Sequence, residues 1–171
     1  MFDIKTAAEL TDPALERRWH AHREGREADV LRAIVSSFVA TGGPVLIAAI
    51  AAVFPERPAA AVAETVRALD AVDLLQLEGD RIVVAYPFCA APTPFRVRLT
   101  PGTERYACCA IDALGVAPML GEPVRVMSEC HHCHEPLTFG VGTEGPGPDA
   151  AGTMTWVETW REGERRIATS L

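Results

Sequence analysis

Apolar residues recur at helical spacing from Asp29 to Val72 and then change to strand-like alternation. That change of period most constrains the fold, because one hydrophobic repeat cannot serve both helix and strand. In Asp29–Ala40, Val30, Leu31, Ile34 and Phe38 share one helical face. Thr41-Gly42-Gly43-Pro44 is a stop signal. A second short helix is predicted over 45–53, a Pro55–Pro58 turn after it, and a third helix over 59–72 with Val62, Val66 and Leu69 inward. Leu74–Leu77 and Arg81–Tyr86 then read as strands around the Glu78-Gly79-Asp80 turn. Three helices followed by a hairpin is a winged-helix-like order. Residues 1–28 read as a polar leading helix, with Asp12 as cap and Pro13 in its first turn.

The predicted class is α+β: a winged-helix-like module over residues 1–86 and a small mixed or antiparallel sheet core over 87–171, with a cysteine-bearing helix. Residues 87–94 contain three prolines and read as a loop. Phe95–Leu99 reads as a strand and Arg105–Leu114 as a helix closed by Gly115 and Pro118. Val124–Met127 and Leu137–Val141 read as strands flanking a tight Cys130–Glu135 turn. Gly142–Gly152 reads as a flexible linker, and Met154–Trp160 with Arg165–Ala168 as a strand pair or short helix.

The chain is acidic, with 23 Asp and Glu against 16 Lys and Arg. Asp29–Val72 holds three arginines and four acids, a poor surface for phosphate contacts. Nucleic acid is therefore not an expected partner, and a structural or dimerising role for the helical module, with a homodimer as its form, is preferred. The longest apolar run, Pro44–Phe54, has eleven residues, too few to span a bilayer, and no membrane partner is expected. The charged N-terminus has no signal-like apolar stretch, so a cytoplasmic location is expected. In a reducing compartment the five cysteines, at 89, 108, 109, 130 and 133, read as thiols or metal ligands rather than disulfides.

Two constellations carry chemistry. Cys109 and Asp112 are three apart, so on a helix they share a face while Cys108 points elsewhere. Such a thiol can bind a soft metal, and a desolvated carboxyl beside it can hold a proton near neutral pH. The bland alternative is a small buried thiol and a surface acid. The second constellation is Cys130-His131-His132-Cys133-His134. Its CxxC is half of a zinc knuckle, with His134 as a further candidate ligand for Zn(II) at Cys130 and Cys133. A redox pair and a soft-metal carrier are the alternatives. His20 and His22 lie in a charged stretch and read as surface residues.

A family resemblance rests on Tyr86-Pro87-Phe88, Pro92-Thr93-Pro94, Arg105–Leu114 (RYACCAIDAL), Pro118–Gly121, Val124–Val126, Ser128 and Cys130. Together they resemble the core of organomercurial lyase (alkylmercury lyase), over roughly residues 29–141. The resemblance implies protonolysis of a carbon–mercury bond, giving a hydrocarbon and Hg(II) from a small organometallic ligand, without an organic cofactor. It implies Cys109 as the mercury-binding thiolate and Asp112 as proton donor. The family's second catalytic cysteine lies later, and no cysteine follows Cys133 here; the second thiol is then expected from Cys108, Cys130 or Cys133. A soft-metal or zinc binding protein built on Cys130 and Cys133, without lyase activity, is the alternative reading.

Overall fold

A computed structural model describes residues 27–155 and, before them, positions 13, 17, 20, 21, 24 and 25. The cap at Asp12, His22 and the segments 156–160 and 165–168 lie outside the described residues.

Helix α1 (Ala28–Thr41) buries Val30, Leu31, Ile34 and Phe38, the face that the spacing predicts. It ends at Gly42, whose φ of 84° is the left-handed cap the Gly-Gly pair supplies. The apolar run that follows is not all helix. Val45–Leu46 forms β1 before α2 (Ile47–Val53) begins, because Val45 is buried against the later hairpin and pairs with Ile82. Helix α3 (Ala59–Ala71) buries Val62, Val66 and Leu69. The hairpin β2 (Leu75–Glu78) and β3 (Arg81–Ala85) forms where it is expected, turning at Gly79 with φ 64°.

Beyond the hairpin three expectations change. Phe88–Cys89, expected as loop, forms β4 between β3 and β6 (Glu104–Ala107). Phe88 is almost fully buried, and the prolines on either side leave room for a two-residue strand. Arg105–Ala107, expected as helix, lies in β6, which pairs with β5 (Arg96–Arg98). Charge favours the strand: Glu104 bonds Arg98 at 2.6 Å and Arg96 at 3.4 Å across the ladder, a cross-strand pairing that helix would break. The expected linker is ordered in part as β9 (Gly145–Pro146) and a 3-10 turn (Pro148–Ala150), with Gly140 N–H donating to Asp149 Oδ2 at 3.0 Å.

Helix α4 (Ala110–Leu120), β7 (Val124–Glu129) and β8 (Pro136–Gly142) complete the described elements. The nine strands form one antiparallel sheet, ordered β1-β3-β4-β6-β5-β7-β8-β9 with β2 on β3. One face of α4, through Ala113, Val116 and Ala117, joins the same apolar core as Val97, Val126 and Phe139. Arg105 ties the helical layer to β6: its Nε–H donates to Phe38 O at 2.9 Å and Val39 O at 2.8 Å, and Nη2–H to Ala40 O at 2.7 Å. These carbonyls belong to the last turn of α1, where helix carbonyls run short of donors; Phe38 O also accepts the Gly42 N–H at 2.8 Å. No helix among the described residues is long and apolar enough to cross a membrane.

Candidate active site

Strand β6 runs into Cys108 and Cys109, and there the chain changes direction into α4. Cys109 is extended (φ −146°, ψ −178°) and is the N-cap of the helix. Its Sγ accepts the Asp112 N–H at 3.4 Å, as a serine oxygen does at this position. The Ile111 N–H also points at the sulfur. The carboxyl of Asp112, third residue of the helix, turns back toward the Cys109 backbone N–H, which lowers its proton affinity. The pair is thus a capping box with sulfur as the cap atom. The thiol also donates to Asp112 Oδ2 at 3.0 Å.

Cys109 and Asp112 therefore meet as expected, for a different reason than expected. Cys109 stands before the helix rather than inside it, and Cys108 is not on the helix at all. Helix α4 also passes the expected stop. Gly115 and Pro118 lie within it, and it ends at Gly121 with φ 72°.

Both partners are half-buried, which sets their proton affinity. Burial, then the Asp112 charge, pushes the Cys109 thiol up to about 12. Burial likewise raises Asp112, against the lowering pull of the Cys109 thiol and backbone N–H. Cys108 is pushed up by burial, then by the charges of Asp112, Cys89 and Cys109. Tyr86 is raised by burial first and then by Asp73, Cys108, Asp112 and Cys109. The site thus favours neutral, protonated groups.

Cys89 and Tyr86 are the neighbours that motif reading did not single out as site residues. Cys89 pairs with Tyr106 in the β4–β6 ladder, so Cys108, two residues on, is its diagonal neighbour on the same side.

Cys130 and Cys133 occupy the β7–β8 turn as expected. Among the described residues no three His, Cys, Asp or Glu side chains are placed to hold a metal ion, and His134 Nδ1 faces Glu129 Oε1 at 3.5 Å. His134, the third member of the expected set with Cys130 and Cys133, has a left-handed backbone (φ 59°), and its ring lies on the β7 side of the turn. The Cys130 thiol is held below its usual range by N–H donors of Cys133 and His132 and by the Cys133 thiol. His20 is exposed beside Glu24 at 3.2 Å. A groove of about 520 Å³ lined by Arg98, Leu99, Pro101 and Arg125 lies at the β5–β6 turn and contains none of these cysteines.

These opposite shifts predict an order of alkylation. With iodoacetamide at pH 8, Cys130 reacts first, while Cys109, with a thiolate fraction on the order of 10⁻⁴, and Cys108, raised still further by burial, react last and accelerate as pH rises. Peptide mass mapping of a time course reads the order; early labelling of Cys109 would contradict the burial described for it.

The alkylmercury lyase family model matches residues 88–170, the stretch that contains β4, the Cys109–Asp112 cap and the CxxC turn. The second half of this chain is thus similar to the alkylmercury lyase family. An alkylmercury lyase from Staphylococcus epidermidis is 32% identical over 93 residues, which cover 54% of this chain and 41% of that protein. The chain thus spans about two fifths of that relative's length. A crystal structure described as the mercury-bound form of MerB2 superposes with a TM-score of 0.60 at 19% identity, covering 80% of this chain and 66% of that one. The alkylmercury lyase fold therefore extends over most of the chain, including helices outside the sequence match.

Proposed function

We propose that this protein is an organomercurial lyase, cleaving a carbon–mercury bond by protonolysis with Cys109 and Asp112. The observation that carries the reading is the 3.0 Å hydrogen bond from the Cys109 thiol to Asp112 Oδ2 in a half-buried cap. The pair holds one proton between a soft-metal ligand and an acid. When the organomercurial cation meets Cys109, its sulfur bonds mercury as the S–H bond breaks and its proton passes to Asp112 Oδ2. A second thiol adds to mercury, electron density moves into the carbon–mercury bond, and Asp112 delivers the proton to the leaving carbon. The sum is R–Hg⁺ plus two thiols giving R–H, a bis-thiolate mercury and one H⁺. Cys108 is the second thiol in this reading; it adjoins Cys109 in the chain, and its proton affinity responds to Cys109 and Asp112. Burial favours neutral groups here, which suits a substrate whose organic part is apolar.

The helical part supports the winged-helix-like reading of residues 1–86, since a strand follows the first helix and joins the hairpin at β3. Its charge makes it a scaffold rather than a reader of nucleic acid.

The test is headspace detection of hydrocarbon after incubation with an arylmercurial and excess small thiol. Wild type is expected to release one hydrocarbon per substrate, Cys109→Ser none above the thiol-only background, and Cys108→Ser at least ten-fold less than wild type. A wild-type protein that releases none ends the lyase reading; a fully active Cys108→Ser removes only the second-thiol assignment.

A further inference from the structure

The turn between β7 and β8 carries thiol chemistry that the lyase reading does not use. It is built tightly. Cys130 N–H donates to Glu135 O at 2.8 Å, and His134 N–H donates to Cys130 O at 2.8 Å. The second bond closes one helical turn, in which residues three apart stand side by side. Cys130 Sγ consequently faces the backbone N–H groups of His132 and Cys133 and the Cys133 thiol. Successive N–H groups around one atom make a cradle for negative charge. Cys133 is exposed and Cys130 is partly so, so a ligand can reach both sulfurs.

The donor set selects the ligand. A tetrahedral zinc site takes four ligands, and among the described residues no third donor joins the two sulfurs. Hard cations prefer oxygen. Two adjacent thiolates suit a soft, thiophilic cation that accepts two-coordinate sulfur.

The sheet register gives the turn a second property. In β5, Arg96 pairs with Tyr106 of β6 on one side and with Met127 of β7 on the other. The ladder continues past Tyr106 through the Ala107 N–H to Phe95 O bond of 2.9 Å. Two residues farther along each strand, Cys108 on one side is level with Glu129 on the other. They are two strand spacings apart, about 10 Å. The CxxC turn and the Cys109 cap thus lie at the same end of the sheet.

We propose that Cys130 and Cys133 form a receiving dithiol that takes a thiophilic metal cation as a two-coordinate bis-thiolate. The transfer rests on the lyase reading; the binding does not. In the transfer both sulfur–metal bonds at Cys109 and Cys108 break, two form at Cys130 and Cys133, and the two thiol protons move the opposite way, with no change of oxidation state.

The binding is tested in full-length Cys109→Ser protein, so that the lyase cap cannot hold the metal. Mercuric chloride is added with millimolar glutathione as competitor, and protein-bound mercury is measured after gel filtration. The expected result is about one retained equivalent, reduced at least ten-fold when Cys130→Ser or Cys133→Ser is added. Circular dichroism of these turn variants should match the parent. Equal retention in the added variants overturns the proposal, as does no retention in the parent, or a Cys130–Cys133 disulfide found by mass in place of bound metal. Retention in this background together with no hydrocarbon release by wild type would leave the dithiol standing and the lyase reading refuted.

Discussion

Asp112→Asn is expected to lower hydrocarbon release by about 10²- to 10⁴-fold, the usual span for losing a positioned acid, without loss of stability at neutral pH. The two effects have one cause. The carboxyl sits half-buried at the start of α4, and burial raises its proton affinity above the ordinary carboxyl value. Folding therefore favours the protonated form. The stabilisation that this proton provides is complete below the unfolded carboxyl's pKa and is lost as pH rises through the folded one. Above the folded carboxyl's pKa the wild type thus bears the cost of a partly desolvated charge that asparagine does not carry. The Cys109 sulfur still accepts the backbone N–H at position 112, so the cap survives. Thermal melts of both proteins at several pH values read the effect: the variant should melt at or above wild type near pH 7, with the difference shrinking toward acid. A variant that is inactive and also markedly less stable at pH 7 would mean that the carboxylate is mainly a structural cap.

Gly43→Ala is expected to be the most damaging small substitution outside the site. Gly43 has φ 68°, and a Cβ built there would lie 2.6 Å from Phe38 Cε1 and 2.9 Å from Cζ. Phe38 is fully buried among the residues that join α1 to the hairpin, so its ring has no free space to enter. Left-handed strain and overpacking act together, and the expected cost is about 2–5 kcal/mol. In a chain of this size that lowers Tm by about 10 °C. Gly79→Ala is the control: its φ is also positive, at 64°, but nothing lies within 4 Å of a built Cβ. It should cost only the strain. Equal melting temperatures for the two variants would show that the Phe38 contact relaxes.

The helical half was legible because its signals are local. The Val30, Ile34, Phe38 spacing, the Gly-Gly stop and the Glu78-Gly79-Asp80 turn each specify one conformation with little help from the rest of the chain. The segment around the site was harder for a definite reason. Arg105–Leu114 contains small and apolar residues that suit either a strand or a helix, and the choice is made by partners distant in sequence: Arg96 and Arg98 for Glu104, and β4 for Ala107. One local signal did exist. Cys109 followed three residues later by Asp112 is the spacing of a capping box, with sulfur where serine or threonine is usual. Reading it so would have placed the helix start at Ala110. The CxxC turn was legible as a turn, but the orientation of His134 depends on a backbone angle that residue type only weakly signals. Cys89 was missed because a two-residue strand between prolines has no periodicity to detect.

The guanidinium of Arg105 has a consequence for motion. It holds the last carbonyls of α1 from a strand that, three residues later, becomes Cys108 and then Cys109. Fraying of that helix end and displacement of β6 are therefore one event rather than two. A disturbance in the helical layer, by heat or by substitution, thus reaches the strand that leads to the sulfur cap through this side chain as well as through the shared apolar core.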